Sequence, residues 1–84
     1  MKLHETFPLK IFSPFNVYFE GDALAMSAVN ATGPFDILAK HEDFLTILIP
    51  CKIIVQTLQG KKEIPLSRGI VQVNKDRVWV FANI

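Results

Sequence analysis

Cysteine occurs once in this 84-residue chain, tryptophan once, histidine twice and glycine four times, and each scarcity closes off a class of protein. A lone Cys51 can form no internal disulfide and cannot anchor a multi-cysteine zinc site, which fits a reducing compartment and no disulfide-linked partner. Long apolar runs are missing too. Uncharged stretches such as Ala23 to Phe35 and Phe44 to Cys51 fall short of the roughly 20 apolar residues that span a bilayer, so neither a membrane helix nor direct membrane insertion is expected. The opening MKLHETFP lacks the apolar core of a signal peptide, and the chain is expected to stay where it is made. An excess of charge is also absent: nine Lys+Arg face eight Asp+Glu for a net charge of +1. Lys61, Lys62, Arg68, Lys75 and Arg77 fall in the second half, yet the overall balance argues against the dense basic face that phosphate contacts demand, and no nucleic-acid partner is expected.

What is present is apolar. Half the residues are hydrophobic, seven of them Phe, which excludes a disordered chain. At this length one core is possible, and a domain of this size buries only about 60–65% of its unfolded surface, so a high apolar fraction is close to a requirement. Residues 1–8 are expected to form a flexible leader carrying His4, and residues 9–84 a single domain.

Five prolines and four glycines cut the chain into pieces of strand length. Leu9 to Ser13 and Val17 to Glu20 read as two strands around the turn Pro14-Phe15-Asn16, because aromatic and β-branched side chains suit a pleated, half-buried surface. In Cys51 to Gln59, Ile53, Val55 and Thr57 alternate with Ile54, Gln56 and Leu58, the period of a strand. Gly60 makes a turn, and Lys61 to Leu66 should return antiparallel with Pro65 near a strand end or a sheet edge, where its missing N–H is harmless. Ile70 to Val73 and Val78 to Ala82 flank the polar connection Asn74-Lys75-Asp76-Arg77 and predict a hairpin. Two segments stay open on residues alone. Asp22 to Val29 has helix formers with strand alternation, and Glu42 to Leu48 could enter a strand through one helical turn. Six to nine short strands at this length imply a compact antiparallel sandwich or barrel.

The inventory of chemistry is thin. Gly21, Gly33, Gly60 and Gly69 compose neither a dinucleotide fingerprint nor a P-loop, so no cofactor is expected. His41-Glu42-Asp43 is a cluster of titratable groups, but adjacent residues point apart, and a polar trio before an apolar run reads as a capping or turn segment. Cys51 reads as a small structural thiol. Trp79 and Phe81 share one face of the last strand while Val78 and Val80 share the other. Core packing is the first reading of this pair, since one face of a sandwich strand is buried; a strand apolar on both faces also leaves something for another surface to cover.

Read as one line, the run from Gly33-Pro34-Phe35-Asp36-Ile37-Leu38-Ala39-Lys40-His41 to Glu42-Asp43-Phe44-Leu45-Thr46-Ile47-Leu48 resembles the signature of the epsilon subunit of F-type ATP synthase, called delta in mitochondria. That family typically shows Gly-Glu-x-Gly-Ile-Leu-Pro-x-His-Ala-x-Leu-Leu-Thr-x-Leu. Leu9 to Pro14 resembles its opening strand, Val17 to Gly21 its next element, Leu66 to Val73 its Ser-Gly-Gly-Phe-x-Glu-Val element and Val78 to Ala82 its terminal strand. The resemblance runs from about Leu9 to Ala82. It implies an all-β sandwich of eight to ten short, mostly antiparallel strands, with Asp22 to Val29 extended and no C-terminal helical domain within this length. Asp36 and Arg68 stand where the family commonly has glycine, Pro34 where it has an acidic residue, Ala39 where it has proline, and Cys51 where it has glycine. Each lost glycine questions a left-handed backbone at that point.

The resemblance implies a non-catalytic central-stalk subunit that docks on the gamma subunit and the membrane rotor ring, as a peripheral component on the cytoplasmic face of a membrane or its organellar equivalent. Thr32, Gly33, Pro34 and Phe35 would form the ring-facing loop. His41, Glu42, Phe44 and Leu45 would lie at the gamma-facing region. The alternative is a free-standing sandwich module with an unrelated partner; an enzymatic role would have to rest on Cys51 or His41.

Overall fold

Alternation of side chains dictates the architecture: most of the short strands turn every second residue inward. The computed structural model describes residues 5–83, and among them the order is β1 (Phe7–Phe12), β2 (Val17–Ala23), β3 (Ala25–Asn30), β4 (Gly33–Leu38), β5 (Phe44–Leu48), β6 (Cys51–Thr57), β7 (Gly60–Leu66), β8 (Gly69–Asn74) and β9 (Arg77–Ala82), with no helix. None of these elements is a helix long and apolar enough to cross a membrane.

The strands run β2-β1-β9-β8-β5-β3-β6-β7, with β4 on the free side of β3. Only the pair Asn30 and Leu48 joins β3 to β5, so the sheet folds there into two layers, β2-β1-β9-β8-β5 and β4-β3-β6-β7. Leu9, Ile11, Val71, Val73, Val78 and Val80 of one layer meet Met26, Ile37, Ile53 and Val55 of the other in a core without a buried polar or charged side chain among the described residues. All pairings are antiparallel except β1 with β9, which run parallel.

The all-β sandwich expected from the sequence is therefore observed, and the open segments resolve as strand. Asp22 to Val29 spans the end of β2 and most of β3, because Met26 and Ala28 are buried at alternate positions. Glu42 and Asp43 precede β5 without a helical turn, since Asp43 is engaged elsewhere. Pro65 lies in β7, a sheet edge. The hairpin β8–β9 pairs Asn74 with Arg77, and its two central residues, Lys75 and Asp76, have φ of 50° and 69°, the left-handed pair that matches strand twist. Asp36, Arg68 and Cys51, in family glycine positions, avoid positive φ; Asp36 instead accepts a 2.6 Å hydrogen bond from the Ser27 hydroxyl across β3–β4. β1 begins at Phe7, inside the segment expected as leader, because Phe7 pairs with Ala23 and is buried. His4 lies outside the described residues.

Candidate protein-docking surface

The two outer faces of the sandwich differ in kind. On β4-β3-β6-β7, polar side chains satisfy one another: Ser27 with Asp36, and Glu63 with both Lys52 and Lys61 at 3.6 and 3.7 Å. On β2-β1-β9-β8-β5 the outward positions are mostly apolar, and the pairing register aligns them. Val17 stands opposite Phe12, Phe12 opposite Phe81, Phe81 opposite Ile70, and Ile70 opposite Ile47. Five apolar residues thus form one row across five strands, about 19 Å long at the usual strand spacing.

Val17, Phe81 and Ile47 of this row are exposed, and Phe12 and Ile70 are half-buried. Phe12 and Phe81 pack tilted against each other at 4.8 Å between centroids, and the Lys10 ammonium lies 4.8 Å above the Phe12 ring. The next row carries Glu20, Lys10, Trp79, Gln72 and Leu45. Leu45 and Ile47 are 64% and 67% exposed, far beyond what core packing requires of either. Fully covering such a side chain is worth about 1.5–3 kcal/mol. Trp79 and Phe81, for which the sequence favoured core packing and left partner contact as the alternative, both stand on this outer face.

The expected ring-facing loop adjoins it. Asn30 Oδ1 accepts from the Thr32 backbone N–H at 3.0 Å and from the Thr32 hydroxyl at 2.7 Å, while its Nδ2 donates to Thr46 Oγ1 at 3.2 Å. These bonds fasten the β3–β4 turn to β5, and Gly33 closes the turn at φ 126°. A shallow hollow lined by Ala31, Thr32, Leu45 and Ile47 joins the turn to the apolar face. Thr32 and Pro34 are exposed and Gly33 half-buried. Phe35 turns inward and meets Phe44 edge-on at 5.9 Å, both packed against the core.

Of the expected gamma-facing residues, Glu42 and Leu45 are exposed, and His41 and Phe44 are half-buried. His41 lies tilted against Phe44 at 4.8 Å between centroids, and its Nδ1 donates to the Glu42 carbonyl at 2.8 Å. Two reciprocal bonds hold this segment. Asp43 Oδ1 accepts the Lys75 backbone N–H at 2.7 Å, and Asp76 Oδ1 accepts the Lys40 backbone N–H at 2.6 Å. The structure thus connects the two expected sites through Phe35 and Phe44, and places Ile47, Ile70, Phe12 and Val17 beside them. Sequence reasoning missed those four. For Ile70 the signal was present, since the hairpin register puts it opposite Phe81; Phe12, Val17 and Ile47 depend on non-local pairings and a bulge.

Comparison with known proteins agrees with this architecture. Residues 6–84 match the family model described as the ATP synthase Delta/Epsilon chain, beta-sandwich domain. The chain is 35% identical over 80 residues to the ATP synthase epsilon chain of Clostridium novyi, covering 94% of this chain and 61% of that one. It is 32% identical over 78 residues to the ATP synthase epsilon chain of Vesicomyosocius okutanii, covering 93% and 56%. The chain spans about three-fifths of the length of these relatives. In fold it resembles a chain in the cryo-EM structure of the Euglena gracilis mitochondrial ATP synthase (OSCP/F1/c-ring), with TM-score 0.85 at 20% identity over 98% of this chain and 53% of that one. A chain of the Tetrahymena thermophila mitochondrial ATP synthase central stalk and c-ring gives TM-score 0.81 at 13% identity, over 99% and 67%. With all but its first five residues matched, the chain belongs to the ATP synthase delta/epsilon chain β-sandwich family.

Proposed function

We propose that this chain forms the foot of the central stalk of an F-type ATP synthase, docking on the gamma subunit and the membrane rotor ring and coupling proton-driven rotation to ATP synthesis without catalysis of its own. One observation carries the proposal: the apolar row Val17, Phe12, Phe81, Ile70 and Ile47 on the outside of a sandwich whose opposite face is mostly polar and paired, with Leu38 exposed. An exposed contiguous row of this kind marks a surface that another protein covers, and family membership supplies the assembly. In this reading the row and the adjoining Leu45, with His41, Glu42 and Phe44 beneath it, face gamma. The turn Thr32 to Pro34, with Phe35 behind it, faces the ring. The subunit sits peripherally on the cytoplasmic side of the membrane or its organellar equivalent.

The test places a charge in the middle of the row. Ile70→Glu is expected to leave the sandwich folded and to reduce affinity for recombinant gamma subunit at least a hundred-fold by calorimetry, since a buried unpaired carboxylate is costly. A folded Ile70→Glu protein that binds gamma like the parent refutes this placement. A parent that stays monomeric beside gamma and recovers an unrelated partner supports the free-standing module instead.

A further inference from the structure

The row does not end at the sheet. Val17 follows the four-residue tip Ser13-Pro14-Phe15-Asn16 that joins β1 to β2, and Phe15 on this tip is 92% exposed. No other large hydrophobic side chain among the described residues is so open. A phenylalanine on a solvent-facing turn contributes almost nothing to the core, and its nearness to Val17 of the row makes it part of a contiguous apolar patch rather than an isolated exposed residue.

The tip is built to hold it still. The Ser13 backbone N–H donates to the Asn16 carbonyl at 2.8 Å, and Pro14 fixes one backbone dihedral. Tyr18 is the extra residue of a β-bulge between the Ile11–Phe19 and Phe12–Val17 pairs, and its hydroxyl accepts from Asn83 Nδ2 at 3.4 Å, tying the base of the tip to the end of β9. An aromatic group on a rigid turn has less freedom to lose on binding, which is the property of an interface anchor.

We infer that Phe15 is the anchor of the docking surface, inserting into a preformed apolar socket on the protein that covers the row. The occupant is a protein rather than a lipid surface, on charge grounds. A membrane-seeking aromatic finger carries Lys or Arg beside it to meet anionic headgroups, whereas Ser13 to Phe19 contains neither, and Lys10 is drawn over Phe12. Continuity with Val17 makes the finger and the row one surface: the row supplies area, and Phe15 supplies register. This inference rests on the proposed docking to gamma and adds a specific residue to it.

The experiment compares the parent chain with Phe15→Ala and Leu58→Ala. Leu58 is 61% exposed in the β6–β7 turn, outside the docking surface, and serves as a control for loss of any exposed apolar group. Thermal melting should be the same for all three. Calorimetric titration with recombinant gamma subunit should show at least a ten-fold loss of affinity for Phe15→Ala and none for Leu58→Ala, in keeping with an aromatic hot spot. Equal affinity of the parent and Phe15→Ala overturns the anchor while leaving the stalk assignment intact. A parent that does not bind gamma overturns both. Parallel sedimentation with vesicles of equal parts phosphatidylglycerol and phosphatidylcholine should recover none of the proteins; recovery of the parent that is lost in Phe15→Ala overturns the protein socket in favour of a membrane contact.

Discussion

Gly69 offers a sharp test of how the docking face is built. It opens β8, pairs with Ala82 of β9 on one side and Leu48 of β5 on the other, and is buried. A Cβ added there would lie 2.6 Å from the Phe81 carbonyl oxygen and 3.2 Å from Leu66 Cδ1. The first neighbour is backbone and cannot swing away, so Gly69→Ala must push β8 from β9 at the Ile70–Phe81 pair. Overpacking of this kind costs about 1–3 kcal/mol. At about 4–8 °C per kcal/mol for a domain of this size, the melting temperature should fall by roughly 4–24 °C. Gly60→Ala is the matched control: its Cβ meets nothing within 4 Å, and only its φ of 131° opposes the change. It should cost about 1–3 kcal/mol through the backbone alone, with no packing strain at the row. Thermal and urea unfolding followed by circular dichroism would give both values. Because the strain falls inside the apolar row, the folded fraction of Gly69→Ala should also bind gamma more weakly than Gly60→Ala. A Gly69→Ala protein melting within about 2 °C of the parent refutes the close-approach argument, since one kcal/mol alone would move it further.

Lys75 holds φ of 50° with its N–H accepted by Asp43; Lys75→Gly keeps the bond and removes the strain, so it should stabilise the fold by about 0.5–1 kcal/mol, whereas Asp43→Ala should destabilise it by about 0.5–1.5 kcal/mol, both read from urea midpoints. Tyr18, the single tyrosine, has its pKa held below that of a free tyrosine chiefly by the Asn83 amide, then by Ser13. Its ultraviolet titration should come at lower pH folded than unfolded, and return upward in Asn83→Ala. The folded state releases this proton first, so ionisation favours folding as pH rises through the folded value towards the unfolded one.

Local signals carried much of the architecture into view. The hairpin Ile70 to Ala82 could be read because its strands are adjacent in the chain and its polar connection fixes the register. Pro65 could be read as an edge residue because a missing donor leaves few other places. Asp22 to Val29 could not be settled from residues, since Ala, Leu and Met favour a helix in isolation while burial on alternate positions selects a strand. The docking surface was half legible. Trp79 and Phe81 left an uncovered face as the alternative to core packing, but Phe12 and Ile47 join it only through the β1–β9 and β5–β8 pairings, which link distant parts of the chain and leave no periodic trace. Phe35 and Phe44 show the reverse: motif position placed them at partner surfaces, whereas alternation on β4 and β5 turns both towards the core and leaves Leu45 and Ile47 outside.

The parallel pairing of β1 with β9 bears on how the protein can be made. Among the described residues β9 is the only strand bridging the β1–β2 hairpin and β8, and Leu9 finds its partner in Val78. During synthesis the first hairpin must wait, with Leu9 and Ile11 uncovered, until Val78 and Val80 have left the ribosome. Closure is then a single late event, and a topology so dependent on distant contacts is expected to fold in milliseconds to seconds. A stalled or truncated product that lacks β9 would present an unpaired, apolar strand edge, the kind of species that chaperones and proteases recognise.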